Sequence, residues 1–185
     1  MTDNFEITPE RQSYLDNLPK RRVAAHIAYR GHGYYGLQYN KNENERLPTI
    51  EGELFLALKK TGLVPPDVME EPKKMSYANA SRTDKNVSAV GQIVTFKTKF
   101  ESEEQVRDDI NKFLPEHIRC YRIFRSTKNF SPKNKCCYRT YSYLMPSFCL
   151  MDLSLYSGPI VDEIRKQLQG FGEVDLILAD LVLCY

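Results

Sequence analysis

Residues 80–89 read ASRTDKNVSA, and the chemistry of the chain turns on the one carboxylate in that stretch. Asp84 stands between Thr83 and Lys85, with Arg82 two residues before it and Asn86 two residues after. A carboxylate fixed in a loop can act as a nucleophile or move a proton. The same residues also make good turn chemistry, since Asp and Asn bond their own backbone and tolerate unusual angles. Arg82 carries a planar fork suited to phosphate. A second pattern, Arg139-Thr140-Tyr141-Ser142-Tyr143, alternates a cation with rings. On a strand that alternation sets Arg139, Tyr141 and Tyr143 on one face. The face either stacks on unpaired bases or packs as core tyrosines with their hydroxyls in solvent.

The surrounding charge follows the same two readings. No Asp or Glu occurs from His117 to Met151, where Arg119, Arg122, Arg125, Lys128, Lys133, Lys135 and Arg139 all fall. A second acid-free stretch holds Lys20, Arg21, Arg22, Arg30 and Lys41, and tyrosines interleave both. Clustered cations with interleaved rings fit phosphate and base contacts. Basic edge strands with structural tyrosines would have the same composition. The net charge of +2 does not choose between them.

The elements that position these residues can be outlined from pattern. RVAAHIAYR, 22–30, reads as a strand, followed by the glycine-punctuated RGHGYYG. Thr49 caps a helix running to Gly62, with Ile50, Leu54, Ala57 and Leu58 on one face. KMSYANA, 74–80, reads as a strand leading into the Asp84 loop, and VSAVGQIVTFK, 87–97, as the strand leaving it. Ser102 and Gln105 have capping-box spacing ahead of Val106, Ile110 and Phe113 or Leu114. Residues 117–125 and 136–146 read as two further strands. The order predicts an α+β domain, an antiparallel sheet with helices on one face. Residues 1–19 read as a polar tail or short helix. In the last stretch Val161, Ile164 and Leu168 have helical spacing, and LILADLVL reads as a last core strand or as sequence foreign to the domain.

With 185 residues, 42% hydrophobic and 27% charged, the chain has the composition of a globular domain. No apolar run approaches bilayer length, so no membrane association is expected. MTDNFEITPERQSYLDN is acidic and resembles no secretory or transit leader, so an intracellular protein is expected. The five cysteines are odd in number and lack metal spacing, which predicts reduced structural thiols and no metal site.

Five segments, in order, resemble one family. ASRTDKNVSA is similar to the Arg-Thr-Asp signature of the TruA family of tRNA pseudouridine synthases. AYRGHGYYGLQYN resembles its first strand and loop, PTIEGELFLALKKTG its first helix, VGQIVTFKT the strand after the aspartate, and FSPKNKCCYRTYSYLMPSF its second motif. The wording is closest to the eukaryotic, pseudouridine synthase 1 branch, and the resemblance covers about residues 20–150.

The resemblance implies a pseudouridine synthase-like fold with a ferredoxin-like N-terminal half, flanked by the 1–19 tail and an atypical 151–185 tail. It implies isomerisation of selected uridines in tRNA, with other RNAs left open as substrates, on a flipped-out base with no cofactor. Asp84 is implied as the nucleophile and Tyr141 as the residue that stacks on uracil or moves a proton. Arg82 is implied to fill the space left by the base or hold phosphate. Lys133 and Arg139 are implied to contact phosphate, and Tyr35 and Gln38 to line the site. A nuclear location is implied, with the cytoplasm as the alternative.

Two positions depart from the pattern: Asn86 stands where the family has Gly, and Tyr39 where the eukaryotic branch has Arg. Family members also continue into a second half, which supplies the other wall of the cleft and a basic partner for the aspartate. No matching motif follows residue 150, and Arg165 lacks the context for that role. The alternatives are an RNA-binding protein without activity, or an incomplete gene product. A dimer would be another way to complete the cleft.

Overall fold

The computed structural model describes residues 7–41, 47–143, 158–159, 162 and, as backbone, 177–182. Its centre is the antiparallel pair β1 (Lys20–Tyr29) and β3 (Ser88–Lys99), in register from Lys20↔Lys99 to Ile27↔Gln92. β4 (Ile118–Arg125) lies antiparallel on the other side of β1, and the two-residue β2 (Ala78–Asn79) pairs with β3. On the far edge, β6 (Ile177–Val182) runs parallel to β3 and antiparallel to β5 (Tyr138–Tyr143). The order is β4-β1-β3-β6-β5. The sheet is therefore mixed at this edge rather than antiparallel throughout. The 177–182 segment is a sheet strand, as one reading of its apolar run had it.

Strand alternation builds the core. Val23, Ala25, Ile27 and Tyr29 of β1 pack with Val94 and Phe96 of β3 against all three helices. On the opposite face Ala24 and Ile93 form a small second cluster with Ala80, covered by Phe124, Phe130 and Cys136. α2 (Ile50–Thr61) buries Leu54, Phe55 and Leu58. Its ends are chemically fixed: the Thr49 hydroxyl accepts the Gly52 N–H at 3.1 Å, and Gly62 closes the helix at φ 72°, which favours glycine. α3 (Glu103–Asn111) starts on Ser102, whose hydroxyl accepts the Gln105 N–H at 3.1 Å, and buries Val106 and Ile110. The segment just before β1 and the 126–137 loop both return to the sheet. Leu18 packs on the main core, and the Ser126 N–H donates to the Arg22 carbonyl at 2.9 Å.

Two expectations changed in detail. The 74–80 strand shrinks to Ala78–Asn79, because Pro72–Met75 coil into a 3₁₀ turn and Ser76 turns the chain at φ 51°. The strand expected over 136–146 starts at Tyr138; its residues 144–146 lie outside the described residues, as do Val161, Ile164, Arg165 and Leu168.

α1 (Pro9–Asp16), capped by Thr8, fills out the short helix of the N-terminal tail. It is held to α3 by an ion pair from Arg11 to Asp109, which also receives Lys112 at 3.0 Å. Burial alone would push the Asp109 carboxyl up. Hydrogen bonds from Gln105, Lys112 and Arg11 outweigh it and hold the carboxyl below its ordinary value of 3.8. The folded state therefore binds this proton less tightly than the unfolded chain does. The stabilisation is complete above 3.8 and is lost as the pH falls through the lower folded-state value. Arg11→Ala removes one of the three donors and should lower stability at neutral pH by about 1 kcal/mol, with Lys112 retaining part of the compensation. Melting curves from neutral to acid pH should show the variant and parent converging as Asp109 protonates.

Candidate functional site

The Asp84 loop is held by a second loop, residues 30–38, which leaves the end of β1. Their backbones are interlocked. The Leu37 N–H donates to the Thr83 carbonyl at 3.0 Å, and the Asn86 N–H to the Tyr34 carbonyl at 3.0 Å. The Gly31 N–H donates to the Ser88 hydroxyl at 2.9 Å, and the Gly33 N–H to Asn86 Oδ1 at 3.2 Å. Thr83 also shares a hydrogen bond at 2.8 Å with the hydroxyl of the core residue Tyr29. Such close approach needs glycine. A Cβ on Gly31 would lie 2.1 Å from the Val87 carbonyl oxygen, and one on Gly36, at φ 93°, 2.7 Å from that of Thr83. Asn86 stands at φ 63°, a left-handed conformation that Asn tolerates, so the departure from Gly leaves the turn intact.

This frame presents Asp84 to solvent. The residue is exposed, and among the described residues its carboxylate has no hydrogen-bond or ion partner. The interlocking bonds thus fix the loop backbone and, among the described residues, leave the carboxylate oxygens unoccupied. Beside it, Lys85 Nζ lies 4.9 Å from the centre of the half-exposed Tyr35 ring.

Next to the loop lies an open cleft of about 720 Å³. Gln38, Arg82, Lys133 and Arg139 line it, brought from four separate segments. Arg139 is anchored by a hydrogen bond of 3.0 Å from its guanidinium to the Ala80 carbonyl. Asp84 and Tyr141 do not line this cleft. Asp84 follows two residues after Arg82, and Tyr35 borders a smaller adjoining cleft with Gln38. Tyr141 lies on β5, 53% exposed, and is separated from β3 by β6, which pairs Ala179 with both Ala89 and Tyr141. Tyr138 and Tyr143 are exposed as well, so the rings of β5 lie open on both faces of the strand.

Pattern reading missed the floor of the cleft. Glu51, in the first turn of α2, is only 4% exposed. Burial raises its pKa, against hydrogen bonds from the Tyr39 N–H at 2.8 Å and Asn79 Nδ2 at 2.7 Å and the charge of Arg82. The Tyr77 hydroxyl is buried next to it. A Glu in the first turn of a capped helix reads as an exposed complement to the helix dipole, which hid its role. Among the described residues no three of His, Cys, Asp and Glu gather to hold a metal, and no helix is long and apolar enough to cross a membrane.

The fold and site together define a small α+β domain that presents an exposed carboxylate beside a cation-lined cleft. Comparison with known proteins agrees with that class. The chain is 42% identical over 131 residues to the mouse pseudouridylate synthase 1 homolog, covering 71% of this chain and 30% of that protein. It is 37% identical over 163 residues to tRNA pseudouridine synthase 1 of Saccharomyces cerevisiae, covering 86% and 29%. To the Schizosaccharomyces pombe protein of the same name it is 36% identical over 148 residues, covering 80% and 27%. Over that stretch the chain is a relative of the pseudouridine synthase 1 proteins. It spans between a quarter and a third of the length of these relatives. No protein-family model matches the chain.

Proposed function

We propose that residues 20–150 carry the aspartate-bearing part of a tRNA pseudouridine synthase, on the N-terminal, ferredoxin-like half of that family's fold. The observation that carries this reading is the Asp84 loop: its backbone is fixed by the 30–38 loop while its carboxylate stays exposed and, among the described residues, unpaired beside a cationic cleft. The names of the relatives supply the substrate.

The chemistry needs such an arrangement. Uracil is detached from the ribose at N1 and rejoined through C5, so the C5 proton leaves and N1 gains one. The base must first leave its stack, at about a few kcal/mol. A fixed carboxylate then serves as the nucleophile that divides the exchange into easier steps. Arg82 fits the space vacated by the base or an adjacent phosphate, Lys133 and Arg139 fit the backbone, and Gln38 and Tyr35 the loop-side wall. Tyr141 supplies a ring for stacking and a hydroxyl for proton transfer. No redox or organic cofactor enters this reaction. The nuclear location rests on the family resemblance alone.

The test is incubation of tRNA transcripts with the chain, followed by nuclease digestion and chromatographic detection of pseudouridine. Product should appear with the parent chain, and its absence with folded, tRNA-binding protein would contradict the reading. Lys133→Ala should weaken tRNA binding several-fold and reduce the slope of log affinity against log salt by about 0.7–0.9, the loss of one phosphate contact. An unchanged slope in a salt titration would remove Lys133 from the interface. A second reading, tRNA binding without isomerisation by this chain, is favoured by one observation: among the described residues Asp84 has no basic partner. The same assay separates the two.

A further inference from the structure

We propose that Glu51 is the positioning residue of this site, the node that holds the Gln38 and Arg82 segments in the arrangement that presents Asp84. The proposal deepens the pseudouridine synthase reading and rests on it for the meaning of the site. Glu51 is attached to the 36–39 segment twice. Its own N–H donates to the Leu37 carbonyl at 2.9 Å, and its carboxylate accepts the Tyr39 N–H through Oε2 at 2.8 Å. Its other oxygen, Oε1, accepts from the Asn79 side chain at 2.7 Å, three residues before Arg82. One side chain therefore ties the N-terminus of α2 to both strands of chain that converge on Asp84.

The energetic cost of this arrangement argues that it serves geometry. A buried carboxylate is expensive unless paired, and among the described residues Glu51 has no ion pair within reach. Two charge-assisted hydrogen bonds, the Arg82 charge and the N-terminal dipole of α2 offset the cost in part. The buried Tyr77 hydroxyl beside it also favours the charged carboxylate, a further partial offset. An apolar residue at position 51 would fill the same space more cheaply and would release both segments. Glutamine would keep the shape but turn one acceptor into a donor, facing either the Tyr39 N–H or the Asn79 amide. The conflict is confined to the Tyr39 and Asn79 contacts of the carboxylate.

The test reads position and chemistry separately. In Glu51→Gln, amide hydrogen exchange at Leu37, Tyr39 and Asn86 should accelerate by at least about tenfold, while Phe96 in β3 keeps its protection. Single-turnover conversion of tRNA uridine should fall by at least about tenfold, with the tRNA Kd changed less than about threefold. Unchanged exchange at those amides in a folded variant would overturn the proposal, whatever the activity. Accelerated exchange in a chain that converts no uridine would leave the positioning role standing and refute the proposed function instead. If Glu51→Gln does not fold, Asn79→Ala, which removes one donor and keeps the carboxylate, should give the same pattern of exchange at Leu37 and Asn86, and protection equal to the parent would again overturn it.

Discussion

Asn or Ala in place of Asp84 should abolish pseudouridine formation, by at least about a thousandfold, and should leave tRNA affinity within about threefold of the parent. The separation of the two effects follows from the geometry. In the proposed reading tRNA is held by Arg82, Lys133 and Arg139 around the cleft, none of which, among the described residues, forms an ion pair with the Asp84 side chain. The loop backbone is held by Thr83, Asn86 and Ser88, so removal of one exposed carboxylate leaves its fold in place. Asp84→Asn is the sharper variant, because it preserves size and turn chemistry and removes only the charge and nucleophilicity. Filter binding and nuclease digestion of the same tRNA measure both arms. Equal loss of binding and turnover would mean that Asp84 organises the loop rather than reacting.

Gly31→Ala produces the second large effect, and through structure alone. The new methyl would sit 2.1 Å from the Val87 carbonyl oxygen and 2.9 Å from the Asn86 carbonyl carbon, both backbone atoms. The two loops must part, which breaks the bonds from Gly31 to Ser88 and from Asn86 to Tyr34. Overpacking of this kind costs about 3 kcal/mol, a fall in Tm of about 5–10 °C. Turnover should fall further than stability predicts, since the Asp84 backbone is displaced. Gly33→Ala is the control: it has open space around it and only the strain of φ 85°, about 1 kcal/mol. A thermal melt of the three proteins decides it, and near-equal melting of parent and Gly31→Ala would show that the loops are not interlocked as described.

Local chemistry was the part of this fold written most openly in the sequence. Thr49 and Gly62 bracket α2, and Ser102 opens α3, because caps are recognised by residue type within three positions. The strands on either side of the Asp84 loop were visible as apolar alternation, but their lengths were not. Ser76 turns left-handed beneath an Arg22 guanidinium that donates to its carbonyl at 3.1 Å, a contact from 54 residues away. The partner of β6 was equally hidden, since an apolar run tells that a strand is buried, not which edge it joins or in which direction.

Within the site, the residues with obvious chemistry were legible and the one that arranges them was not. Gln38, Arg82, Lys133 and Arg139 line one cleft, although 101 positions separate Gln38 from Arg139. Glu51 gave no signal because its burial depends on Tyr39 and Asn79, which reach it only after the chain has folded. Asn86 was a legible departure whose consequence proved mild, since its φ of 63° is one Asn adopts.

The most direct measurement of the central claim is release of tritium from tRNA labelled at uridine C5, with the parent chain and Asp84→Asn compared under the same conditions. Rejoining the ring to the sugar through C5 expels the C5 proton, so release in step with pseudouridine reports that bond. The account predicts release from the parent in step with pseudouridine formed, and none above background from the variant. Release that persists undiminished in Asp84→Asn, or none from a folded parent chain that binds tRNA, would contradict it.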